Sequence, residues 1–166
     1  MSLAHLPVPT SSAPAPRAAL APLLPQADTL AGFGMRVSRQ FAQCRRENGR
    51  LAVLWVEVVV RETPGSDLGE EDRTALVHVA AQRLRNRVRG ADDVVRVGAQ
   101  GFAVLLLEAG APEVHIVERR LLHTLQGAYG LDGRLVQVDV RLGRAVFPDD
   151  GRQGADLAEA AQRNAR

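Results

Sequence analysis

Lysine is absent from this sequence: all 21 of its basic residues are arginine. A site that needs a flexible ammonium beside a phosphate is therefore excluded, whereas planar, bidentate arginine contacts are plentiful. Cysteine is nearly absent. Cys44 alone makes neither an internal disulfide nor a thiolate metal cluster, which agrees with a reducing cytoplasm. Aromatic residues make up only 4%, so the core has to be assembled from Val, Leu and Ala. No apolar run reaches the ~18 residues that suggest a membrane span. The N-terminus lacks the basic start and uninterrupted apolar run of a signal peptide. A strong excess of one charge is missing too, with a net charge of +2. Without a basic excess or interleaved aromatics, no nucleic-acid partner is expected.

What is present is one ordinary domain behind a tail, in 166 residues of which 46% are hydrophobic. Residues 1–25 are rich in Pro, Ala and Ser, including Pro7, Pro9, Pro14, Pro16, Pro22 and Pro25, and read as a flexible or extended tail. The domain occupies 26–166. A helix is expected from Asp28 or Thr29 to about Asn48, with Phe33, Val37 and Phe41 at helical spacing. Leu51–Val60 is a nearly continuous β-branched apolar run, the pattern of a central strand buried on both faces. Glu70–Val88 reads as a helix with Leu76, Val79, Ala80 and Leu84 inward. Two short apolar runs, Asp93–Val97 and Phe102–Leu107, flank Gly98-Ala99-Gln100-Gly101, which suits a tight hairpin turn. A helix over Pro112–Leu125, a strand over Arg134–Val146 and a short helix from Ala155 complete the order. The expected fold is a single α/β (α+β) domain with a central, mainly antiparallel sheet flanked by helices.

Four ordered segments carry a resemblance. Arg89-Gly90-Ala91-Asp92 is followed by five residues and then Gly98-Ala99-Gln100-Gly101-Phe102. Val138–Gly151 (VDVRLGRAVFPDDG) lies downstream, and Asp28–Phe33 (DTLAGF) upstream. Together they resemble the RxxD motif, signature hairpin, strand-turn segment and opening segment of the GGDEF, or diguanylate cyclase, family. The resemblance covers about residues 28–166 and implies the nucleotidyl cyclase-like fold. It also implies cyclic di-GMP as the relevant nucleotide, since family members join two GTP molecules with metal assistance.

The chemistry of that reaction needs hard carboxylate oxygens for magnesium. Here the third signature position is Gln100 and the fourth is Gly101. By the resemblance, Glu57 on the first strand aligns with a metal-binding aspartate of the family, but the alternate position is Val59. Val60-Arg61-Glu62-Thr63-Pro64-Gly65 replaces the stretch that supplies a guanine-reading asparagine and a phosphate-facing lysine. Groups that act as a unit fail as a unit, so no catalytic residue, no metal site and no enzyme activity are expected. Glu57 is expected to reach solvent or to pair with an arginine. His5, His78, His115 and His123 make no convincing ligand set.

The RxxD motif is intact. By the resemblance, Arg89 and Asp92 form an inhibitory-type site for cyclic di-GMP, supplemented by Arg119 or Arg120 of the next helix, with Arg85 and Arg87 on the approach. Arginine offers a bidentate contact to a guanine edge or a phosphate, and aspartate accepts from guanine donors. Two readings are open: a receptor for cyclic di-GMP that signals to a protein partner, or an interaction module that uses the fold without nucleotide. In either, the side chains of Arg89 and Asp92 have a local alternative, pairing with helix carbonyls and capping the turn. No cofactor is expected.

Overall fold

The computed structural model describes residues 24–61, 64–65, 67–99 and 101–166. The expected tail up to residue 23, and Gln100 of the signature, lie outside the described residues. The last two tail residues belong to the fold. Leu24 is buried in the core, and the Pro25 carbonyl accepts the Arg96 amide at 2.9 Å.

The described elements run β1 (Gln26–Ala27), α1 (Leu30–Arg36), α2 (Ser38–Arg46), β2 (Leu51–Val60), α3 (Glu70–Arg85), β3 (Asp93–Val97), β4 (Gly101–Leu107), α4 (Ala111–Leu125), β5 (Gly127–Leu131), β6 (Arg134–Phe147) and α5 (Gly154–Arg163). The strands form a six-stranded sheet in the order β1-β3-β4-β2-β6-β5. All pairings are antiparallel except the short parallel contact of β1 with β3. The mainly antiparallel α+β sheet that the sequence predicts is thus observed.

The strand β2 explains the layering. Side chains alternate across a strand, and both faces of this one are covered. Ala52, Leu54, Val56 and Val58 point into a core shared with α3 and α4. Leu51, Val53 and Trp55 point into a second core under α1, α2 and α5. A strand enclosed by helices on both sides has no polar face, which is why its sequence shows no alternation.

Three elements differ from the expectation. The single helix predicted for 28–48 is two helices that break at Val37, whose φ of −97° and ψ of 7° leave the helical region. Gly34 allows this bend to seat on α5, since a Cβ there would lie 2.7 Å from the Ala155 amide nitrogen. Thr29 caps α1, its hydroxyl accepting from the Gly32 amide at 3.0 Å. The strands β1 and β5 are absent from the sequence expectation. β1 has two residues beside the proline-rich segment, and β5 (GAYGL) carries too few β-branched residues to signal a strand. No helix among the described residues is long and apolar enough to cross a membrane.

Candidate functional site

The signature hairpin joins β3 to β4. Gly98 turns the chain with a φ of +65°, a conformation open to glycine at little cost. Gly101 then sits between two neighbours, opposite Val97 on β3 and Glu57 on β2. Above it lies Trp55, the only tryptophan in the sequence and only 3% exposed. A Cβ on residue 101 would stand 2.5 Å from Cζ2 of that indole and 3.0 Å from the Val97 carbonyl oxygen. Real Cβ atoms do not approach so closely, so the indole fills the place where a side chain would start.

Glu57 is held by the same tryptophan. The indole Nε1–H donates to its Oε1 at 3.1 Å. Glu57 is only half-buried, so it reaches solvent as expected, but its partner is the indole and not an arginine. Arg141 stands directly across from it on β6, but among the described residues the two form no ion pair. Asp28, Thr29, Trp55, Glu57, Gly98 and Gln162 help to line an open cleft of about 410 Å³. Val59, at the alternate strand position, faces Asp139 of β6. That carboxylate is already taken by Arg61, through Nε at 3.1 Å and Nη2 at 2.5 Å. The paired guanidinium holds the Asp139 carboxyl below its ordinary range. No group of three or more His, Cys, Asp or Glu among the described residues is placed to hold a metal ion.

The second locus is the turn between α3 and β3. Asp92 is the only buried charged residue described, 4% exposed. Its Oδ1 accepts the Leu107 amide at 3.1 Å and its Oδ2 accepts the Arg89 amide at 3.2 Å. Arg89 places Nε 3.4 Å from the same Oδ2 and donates from Nη2 to the Leu107 carbonyl at 2.6 Å. Its side chain is nevertheless 61% exposed. Arg85 secures the turn from below, donating to the carbonyls of Asp92 at 2.9 Å and Gly90 at 3.2 Å. Arg85 therefore holds the carbonyls of this turn, while Arg89 reaches the end of β4.

The family model for the diguanylate cyclase GGDEF domain matches residues 31–166. This chain belongs to the GGDEF domain family. Cyclic di-GMP phosphodiesterase NbdA of Pseudomonas aeruginosa is 26% identical over 140 residues, covering 81% of this chain and 18% of NbdA. Diguanylate cyclase TpbB of the same species is 30% identical over 136 residues, covering 78% of this chain and 30% of TpbB. The chain thus spans less than a third of either relative. The solved GGDEF domain of TpbB superposes with a TM-score of 0.72 at 26% identity, over 84% of this chain and 80% of that one. The active GGEEF domain of a diguanylate cyclase from Vibrio cholerae superposes with a TM-score of 0.68 over 86% and 88% of the two chains, and at 10% identity shows likeness of fold alone.

In this GGDEF domain the structure joins Arg85, Arg89 and Asp92 by hydrogen bonds around one turn. Arg119 and Arg120 are exposed on α4 and form no ion pair among the described residues. Arg87 is exposed just beyond α3. Ala99 accepts from Arg96 Nη2 through its carbonyl at 3.0 Å, which steadies the hairpin. Phe102 is fully buried in the core. Two participants escape a reading of the sequence. Trp55 carries a signal, as the lone tryptophan in an aliphatic strand. The backbone of Leu107 carries none, because any residue supplies the same two groups.

Proposed function

We propose that this GGDEF domain does not cyclise GTP and works as a regulatory module of cyclic di-GMP signalling in the cytoplasm. The observation that carries the reading is the Trp55 indole lying over Gly101. A side chain at the fourth signature position would have to displace that ring. Gln100 at the third position and Val59 on the strand remove further acids. Magnesium, which favours a set of hard oxygen ligands, is left in this cleft with Asp28 and with Glu57, which already accepts from the indole.

In this reading cyclic di-GMP is the ligand and Arg89 its first contact. The guanidinium is well exposed and suits a guanine edge or a phosphate. Arg85 adds positive charge beside it, and Arg119 and Arg120 supply more from α4. A protein partner would read the liganded state, and no cofactor is required. Calorimetric titration of cyclic di-GMP into the wild type and Arg89→Ala tests this. Micromolar or tighter binding, lost in the variant, is the expected result.

A second reading, an interaction module that binds no nucleotide, is favoured by one observation. Both oxygens of Asp92 are engaged inside the protein and its side chain is 2% exposed, so Arg89 alone faces outward. Absence of heat at ligand concentrations well above micromolar would select this reading.

A further inference from the structure

The Arg89–Asp92 pair occupies a particular gap in the sheet. The last paired residues of β3 and β4 at this end are Asp93 and Leu105. Two residues further along β4, the next antiparallel rung would pair Leu107 with residue 91. There the chain is already turning, through the Asp92 amide to the Arg89 carbonyl at 3.1 Å. Leu107 would be left with an unmet amide and carbonyl on that side. Asp92 accepts the amide and Arg89 donates to the carbonyl. One side chain plays the acceptor and the other the donor that a strand backbone would supply. The spacing of three residues across one turn brings them to the same rung.

The backbone just beyond Leu107 is strained. Glu108 has a φ of +52°, in the left-handed region where Asn and Asp are tolerated but a glutamate is unusual. The other non-glycine residues of positive φ described are Asn48 and Asp132, both of the tolerated kinds. Such a conformation persists only where its surroundings impose it. On one side the rung at Leu107 does so. On the other, Gly110 donates to the Glu113 carboxylate at 3.0 Å, starting α4.

We propose that the Arg89–Asp92 pair is a latch on the β4–α4 turn, and that a nucleotide engaging both side chains opens it. The second half rests on the cyclic di-GMP reading above. The Asp92 side chain is 2% exposed, closed off from a ligand by the turn that its bonds to the Leu107 and Arg89 amides hold in place. A guanine that takes Asp92 must therefore release the rung, freeing Glu108 and the first turn of α4. Binding at the motif is thereby converted into movement at the start of α4.

Hydrogen exchange read by mass spectrometry tests both halves, with calorimetry on the same samples. Without ligand, Arg89→Ala and Asp92→Asn should speed exchange of residues 107–113 about tenfold, while β2 stays protected. Protection of β2 also shows that each variant is folded. Unchanged exchange of 107–113 in both variants would overturn the latch. With cyclic di-GMP, the wild type should show the same acceleration. Measured binding with unchanged or slower exchange at 107–113 would overturn the opening while leaving the receptor reading intact. No heat of binding, with accelerated exchange in the variants, would overturn the receptor reading and the ligand-driven opening, and would leave the latch standing.

Discussion

The indole of Trp55 covers Gly101 so closely that a Cβ at residue 101 would meet its ring at 2.5 Å. The two residues are therefore one unit, although 46 positions separate them. Overpacking a filled core costs about 1–3 kcal/mol. Gly101→Ala should lose stability in that range by urea denaturation. In a Trp55→Leu background the same change should cost much less. Equal costs in the two backgrounds would show that the ring yields freely, because coupled neighbours are non-additive and independent ones are not.

The same coupling bears on catalysis. The wild type, incubated with GTP and magnesium, is expected to make no cyclic di-GMP by chromatography. The triple variant Val59→Asp, Gln100→Glu, Gly101→Glu restores carboxylates in sequence, but the indole still occupies the place of a side chain at residue 101. It should stay silent too. Product above a no-enzyme control from the wild type would sink the silent-domain reading, and product from the triple variant would show that Trp55 moves aside.

Much of this was legible in the sequence, for identifiable reasons. The unbroken apolar run of β2 announces a strand covered on both faces, and the glycines around residue 99 announce a hairpin. Long, periodic elements such as α3 and α4 carry many consistent residues. The break at Val37 was hidden because Phe33, Val37 and Phe41 keep one helical spacing straight through it. β1 and β5 were hidden because two residues, or five with two glycines, hold too little pattern. At the candidate site the motif residues were visible but their partners were not. Asp92 binds a backbone amide 15 positions away, which no spacing rule reveals.

Asp92 should matter more for stability than Arg89. Its carboxylate is buried and satisfies two backbone amides. Hydrogen bonds to a charged group contribute about 1.5–3 kcal/mol, and the deserted Leu107 amide adds a desolvation cost. Asp92→Ala should lower the unfolding free energy by about 3 kcal/mol. Arg89→Ala, an exposed side chain, should cost about 1 kcal/mol or less. The reverse order in urea titrations would place the motif's weight on the arginine and contradict the rung geometry.

Tyr129 gives the molecule an alkaline limit. Its ring is fully buried, its hydroxyl donates to the Leu125 carbonyl at 2.6 Å, and the Arg83 guanidinium lies 4.0 Å from the ring centroid. Burial raises its pKa above the ordinary 10.0, with Arg83 opposing in part. A raised value means that the folded protein holds this proton more tightly than the unfolded chain. The associated stability is fully present below the unfolded value near 10 and is lost as pH rises through the folded one. Wild-type stability should therefore fall above about pH 10. Tyr129→Phe should start about 1 kcal/mol lower at neutral pH, having lost one hydrogen bond, and lack that component of the alkaline fall. The two denaturation curves should converge as pH rises. Parallel curves from about pH 8 to 12 would show that the tyrosine ionises equally well in the folded and unfolded chains, and that its hydroxyl is not held as the geometry indicates.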